Sequence, residues 1–195
     1  YEVTNRLESY LDAVYRITFV QDSNHIIVAG HGGYTRLVDL AYGAEIRRTS
    51  IQLPEEIRSG AQQEQHVIKR AFSADYERIL YTVARFDALP DAADVPAIHY
   101  LYDLETGEQL AEYHNEDLFN ATGSTFVGTD RIATAFQDGT VIIWDINTGE
   151  ELQRFTLNVT QLEPQSRFYS ERLLVLGPSF DQIQPGKPIV MIDLR

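Results

Sequence analysis

The sequence predicts an all-β fold built from repeated four-strand units, and three observations carry that reading. Short runs rich in Val, Ile, Tyr and Phe alternate with turns holding Gly, Asn or Asp, and such runs suit a pleated, packed surface. One layout recurs four times along the 195 residues. Almost nothing reads as helix: EEIRSGAQQEQ (55–65) has helical leanings, and its Gly60 weakens them.

The elements follow in order. YEVTNRLES (1–9) reads as a fourth strand without its own first three. The first full unit (13–50) has AVYRITFV, then HIIVAG, then a strand ending at Val38-Asp39-Leu40, then AEIRRTSI after Gly43. The second (66–113) has HVIKRAFS, ERILYTVARF, AIHYLYDL and, after Thr106-Gly107, EQLAEYH. The third (124–157) has STFVGT, RIATAF, TVIIWDI and ELQRFTL, with Asp138-Gly139 and Asn147-Thr148-Gly149 as turns. The fourth (166–195) has SRFYS, ERLLVLG and PIVMIDL. Each third strand ends in apolar-Asp-apolar, at Asp39, Asp103, Asp145 and Asp193. Recurrence once per unit argues that these aspartates are structural, since chemistry needs each group only once. A lone four-stranded meander cannot bury both faces. Stacking such units around an axis does so and shields the edges, which is the β-propeller solution.

The third unit resembles a WD40 repeat. The matching stretch is QDGTVIIWDINTGEEL (137–152), with Trp144-Asp145 closing the third strand; YDLETGEQL, VDLAYGAEI and IDL are similar in the other units. The resemblance implies a propeller of four-stranded blades (strands a to d). It also implies a buried His–Ser/Thr–Asp–Trp network, onto which His114, Thr134, Asp138 and Trp144 map. In the other units Val38, Tyr102 and Met191 or Ile192 take or flank the Trp place, so those blades are expected to hold by apolar packing. The ends are complementary: the chain stops where a d strand would begin, and residues 1–9 read as one. Two arrangements follow, a compact four-bladed ring or a piece of a larger propeller. A first residue other than Met, with both ends cutting through a blade, favours the piece.

Composition excludes several functions. The formal net charge is −13, from 29 acids against 16 bases, and basic residues do not cluster, so nucleic acid is not an expected partner. No run is long enough to cross a bilayer and no basic-then-apolar leader is present, so no membrane association is expected. There is no Cys, hence no disulfide framework and no thiolate metal site. A cytoplasmic setting is the favoured expectation. The five His show no helical ligand spacing, no G-x-S-x-G elbow occurs, and the paired glycines are hairpin glycines without a following helix. His99, beside Tyr100 on a strand, reads as a packed, hydrogen-bonded side chain. No cofactor, metal or catalytic residue is therefore assigned. A hydrolase-like site assembled in space from distant blades is the alternative, and a purely structural spacer is another.

Meander geometry places a–b and c–d turns at one end of a blade and b–c and d–a connections at the other. The longer connections (52–65, 87–96, 115–122, 158–165 and 178–187) all fall at the second end. Loops grown on one side of a rigid scaffold are a common binding layout. Glu55, Glu56, Asp87, Asp91, Asp94 and Glu116 give that end a negative cast that suits a basic partner and equally serves solubility. Phe86, Phe119 and Phe180 lie in or beside the same connections as candidate anchors. The expected function is a non-catalytic interaction scaffold or sensor that binds a protein partner or other domains of a parent chain.

Overall fold

The computed structural model describes residues 14–20, 22–30, 33–55, 66–73, 75–85, 96–119, 121–136, 138–156, 167–170, 173–176 and 190–193. They form fifteen strands in four antiparallel sheets. The first sheet holds β1 (Val14–Phe19), β2 (His25–Gly30), β3 (Tyr34–Asp39) and β4 (Ala44–Ser50) in chain order. The second holds β5 (His66–Phe72), β6 (Arg78–Arg85), β7 (Pro96–Asp103) and β8 (Gln109–Phe119). The third holds β9 (Ala121–Val127), β10 (Arg131–Phe136), β11 (Thr140–Asp145) and β12 (Glu151–Thr156). The fourth has β13 (Arg167–Ser170), β14 (Leu173–Leu176) and β15 (Val190–Asp193). The 97–104 and 140–146 segments, whose merger into one sheet would have ended the repeat reading, sit in different sheets.

The registers make the sheets superimposable position by position. His25, Arg78, Arg131 and Leu173 each face a recurrent aspartate across the ladder. One residue further on, Ile26 faces Val38, Ile79 faces Tyr102, Ile132 faces Trp144 and Leu174 faces Ile192. Of the two residues offered for the fourth unit, Ile192 therefore takes the Trp place. The outer strand of each four-stranded sheet carries a bulge near its start, so that Ile46, Leu110 and Leu152 are skipped by the pairing, and β8 shifts register a second time between His114 and Phe119. A bulge adds twist and turns its extra side chain away from the ladder, and all three apolar residues are about half exposed.

Sheets pack face to face. Ile27, Ile51 and Leu53 of the first-sheet region meet Ile79, Tyr81, Tyr100, Tyr102 and Leu104 of the second. Leu80, Leu101 and Ala97 of the second meet Phe126, Ile132, Ile142, Trp144 and Ile146 of the third. Each such fully buried side chain contributes about 2 kcal/mol relative to exposure. Hydrogen bonds stitch the same seams. Arg16 Nη1 donates to the Arg70 carbonyl at 3.0 Å, Tyr76 Oη to the Phe19 carbonyl at 3.0 Å, and Arg78 Nη1 to the Thr129 carbonyl at 3.1 Å. The inner strand β9 lies against β5, β6 and β13, as first strands do when sheets radiate from a common axis.

One expected connection is corrected. NEDLFNAT (115–122) was expected to be a loop, but β8 runs on to Phe119, which pairs with Pro96, and β9 starts at Ala121. The acidic composition suggested a loop; the strand instead continues through it, with a shift of register between the Ile98–His114 and Pro96–Phe119 pairs. Residue 55 is helical, and 56–65 lie outside the described residues.

Candidate functional site

The recurrent aspartates cap the turn between each third and fourth strand. Asp39 Oδ1 accepts from the Ala41 and Tyr42 amides at 2.7 and 3.3 Å. Asp103 Oδ1 accepts from the Glu105 and Thr106 amides at 2.7 Å each and from Thr106 Oγ1 at 3.1 Å. Asp145 Oδ1 accepts from the Asn147 and Thr148 amides at 2.8 and 2.9 Å. An Asp side chain that mimics a turn carbonyl in this way explains why the residue type recurs. Amide donors from Thr106 and Thr148, the largest cause in each case, hold the Asp103 and Asp145 carboxyls below the ordinary range. The side chain of Asp193 lies outside the described residues.

The residue after each aspartate reaches back: the Leu40, Leu104 and Ile146 amides donate to the Asn24, Glu77 and Asp130 carbonyls at 2.7, 2.7 and 2.9 Å. Four residues beyond Asp103 and Asp145 stand Gly107 and Gly149, with φ of 78° and 71°. A Cβ at Gly149 would sit 2.6 Å from the Tyr113 ring, and one at Gly107 would sit 2.7 Å from the Ser50 carbonyl. Both glycines thus admit the outer strand of the preceding sheet as well as supplying the left-handed turn.

The four residues mapped from the repeat family do not converge. His114 is exposed, and its Nε2 pairs with Glu112 Oε1 at 2.7 Å. Asp138 is exposed and closes its own turn, accepting from the Thr140 amide at 2.8 Å and from Thr140 Oγ1 at 2.9 Å. Thr134 is buried and bonds Ser124 Oγ on the neighbouring strand at 3.1 Å. Trp144 is buried, and its Nε1 has no acceptor within reach among the described residues. The expected network is thereby corrected. A donor two residues away captures Asp138 more readily than a remote indole, and His114 sits too far out on the outermost strand.

The histidine that does approach Trp144 is His99, on β7. It is 2% exposed, its ring centre lies 6.5 Å from the indole, and its Nδ1 is 3.1 Å from Thr82 Oγ1. Burial pushes its pKa down to about 4, with His114 adding a smaller push the same way. This ring is therefore neutral at pH 7 and packed in the seam between the second and third sheets. Its His–hydroxyl pairing matches the packed, hydrogen-bonded role expected for it. Ser124 was not singled out in the sequence; a Ser on a first strand, opposite Thr134 in register, was the available signal.

On the acidic end, Glu55 is exposed, while Glu116 and Phe119 lie on β8 rather than in a loop. Glu56, Phe86, Asp87, Asp91, Asp94 and Phe180 lie outside the described residues. Among the described residues no group of three or more His, Asp or Glu is placed to hold a metal, and no helix is long and apolar enough to cross a membrane.

The meander sheets, their shared register and their face-to-face stacking define the class: the chain is an all-β array of propeller blades, three of four strands and one described through three. No family model matches it, and no curated protein does. Among many solved structures, it is similar to the crystal structure of BamB from Moraxella catarrhalis, with 18% identity and a TM-score of 0.46 over 83% of this chain and 39% of that one. The chain thus spans well under two thirds of that protein's length.

Proposed function

We propose that this chain is a WD40-like propeller segment acting as a non-catalytic protein-interaction scaffold or sensor, and that it binds through the blade end bearing the b–c and d–a connections. The observation that carries the reading is the asymmetry of the two ends. One end is built from short hairpin turns, several locked by aspartate caps and glycines. Such turns leave little chain free to shape a recognition surface. Meander geometry read from the sequence assigns the longer connections at 52–65, 87–96, 158–165 and 178–187 to the opposite end. A rigid scaffold with variable segments at one end presents them at low ordering cost. The acidic residues in those connections favour a basic protein surface, through steering and complementarity.

The test is capture from an extract with the intact chain against a variant neutralised at Glu55, Glu56, Asp87, Asp91 and Asp94 (Glu→Gln, Asp→Asn). Proteins that bind the intact chain in a salt-sensitive manner and are lost with the variant support the reading. The same set retained by the variant, but lost when the Asp103 and Asp145 turns are altered, places binding at the opposite end and refutes it.

A further inference from the structure

Asp138 belongs to no buried network and sits at an exposed turn instead, which leaves the dipeptide Asp138-Gly139 with a chemistry of its own. Of the twelve glycines only Gly139 follows an aspartate, and none follows an asparagine. The backbone nitrogen after an aspartate can attack the side-chain carboxyl and close a succinimide ring. An N–Cγ bond forms, the Cγ–OH bond breaks, and the amide hydrogen leaves with that hydroxyl as water. Water then reopens the imide. Attack at the former main-chain carbonyl returns the lost water and leaves the chain running through Cβ and Cγ, which is isoaspartate: an isomer of the parent, longer by a backbone carbon. Glycine favours ring closure because no side chain stands beside the attacking nitrogen. The recurrent aspartates lack that opening, since Asp39, Asp103 and Asp145 precede Leu40, Leu104 and Ile146, whose amides are already bonded to carbonyls of the first hairpin.

The folded turn holds both reacting groups. The Gly139 amide donates to the Phe136 carbonyl at 3.1 Å. Asp138 Oδ1 accepts from the Thr140 amide at 2.8 Å, and Oδ2 accepts from Thr140 Oγ1 at 2.9 Å, so the carboxyl is drawn forward past Gly139. The first bond cannot survive ring closure, because an imide nitrogen carries no hydrogen. The carboxyl, left with a single oxygen, keeps at most one of the other two. The clasp is anchored in the core: Thr140 and Phe136 are both buried, and the next rung of the ladder joins Ala135 to Val141. Asp138 itself is open to the water that hydrolysis needs. The barrier added by the fold therefore lies in freeing the nitrogen and the carboxyl from this turn.

We propose that Asp138-Gly139 is a self-modification site of the folded chain, converting to isoaspartate at a rate set by opening of the β10–β11 turn, with the Thr140 side chain as its guard. Local opening of a turn costs less than global unfolding, so conversion accumulates in molecules that stay folded elsewhere. The product lengthens the connection between β10 and β11 and moves the carboxylate onto a side branch. The bonds to Thr140 are then not recovered, and the turn stays loosened. This inference does not depend on the function assigned above.

The test incubates the intact chain for weeks at neutral pH and body temperature, in water enriched in heavy oxygen. Isoaspartate is read by enzymatic methylation of its carboxyl and placed by peptide mapping, and each hydrolysed imide also carries a solvent oxygen. Isoaspartate and label are expected at position 138, forming more slowly in the folded chain than in urea by about tenfold or more. Thr140→Val keeps the branched shape and removes the hydroxyl bond. It should speed conversion by about two- to tenfold, the population change that one net hydrogen bond makes, with far-UV circular dichroism unchanged. Thr140→Ser keeps the hydroxyl and should stay near the parent rate. Asp103→Ala weakens a turn in another sheet and should leave the rate at 138 unchanged, which separates opening of this turn from lost global stability. Conversion absent at 138 from the folded parent and from Thr140→Val alike overturns the proposal. So does a folded rate equal to the rate in urea, an equal rate in Thr140→Val and Thr140→Ser, or an Asp103→Ala chain that converts as fast as Thr140→Val.

Discussion

Acidification should loosen this protein through His99 before it touches the carboxylates. The ring is buried in the seam between the second and third sheets, and its pKa falls from the usual 6.5 to about 4. In the unfolded chain the same ring titrates near its ordinary value. Between those two pKa values the unfolded state binds the proton and the folded state does not, so stability falls as pH drops through that window. At 1.36 kcal/mol per unit, the full loss amounts to about 3 kcal/mol, a large share of a domain stability of about 5–15 kcal/mol. The carboxylates act in a separate window. Asp103, Asp145, Glu45 and Glu151 have lowered folded-state pKa values, so their stabilisation is present above the ordinary carboxylate range and is lost only below it. Trp144, the chain's single tryptophan and buried beside His99, supplies the signal. Urea unfolding followed by its fluorescence, from about pH 7 to about pH 4.5, should show stability declining by a few kcal/mol. His99→Asn keeps a polar group facing Thr82 and removes the titration. Its absolute stability drops because the ring volume is lost, but its stability should be nearly flat over that range. A wild-type profile already flat there, or an equal slope in His99→Asn, would refute the assignment.

Three further outcomes follow from the turns and seams. Asp103→Ala should lower stability by about 1 kcal/mol by removing a turn cap, Asp145→Ala should lower it in the same direction, and the two should add in the double variant because the caps sit in different sheets; urea midpoints measure this. Gly149→Ala should cost about 1–3 kcal/mol, since the φ of 71° disfavours a side chain and the new methyl meets the Tyr113 ring. Tyr113→Phe should cost about 1 kcal/mol by leaving the Ile146 carbonyl without its hydroxyl donor, and combined with Gly149→Ala it should be less than additive because the ring and the glycine touch.

The local elements were legible in the order of residues alone. Branched and aromatic runs between turn residues mark the strands, and the recurrent Asp-x-x-x-Gly spacing marks the hairpins, because a strand's pleat and a capped turn depend on residues a few places apart. The aspartates at 39, 103 and 145 were legible for that reason: each bonds amides two and three residues onward. Longer reach was decided in three dimensions. His114 stood at a plausible spacing for the buried network, yet His99 is the ring that lies against Trp144, and β8 absorbed an acidic stretch that read as a loop. Thr18-Phe19-Val20 and Thr125-Phe126-Val127 carry the same side chains in the same register of their sheets, and one phenylalanine is 72% exposed while the other is 1% exposed. Local pattern is identical at the two sites. Burial in a stacked array comes from the adjacent sheet, which no short stretch of sequence contains.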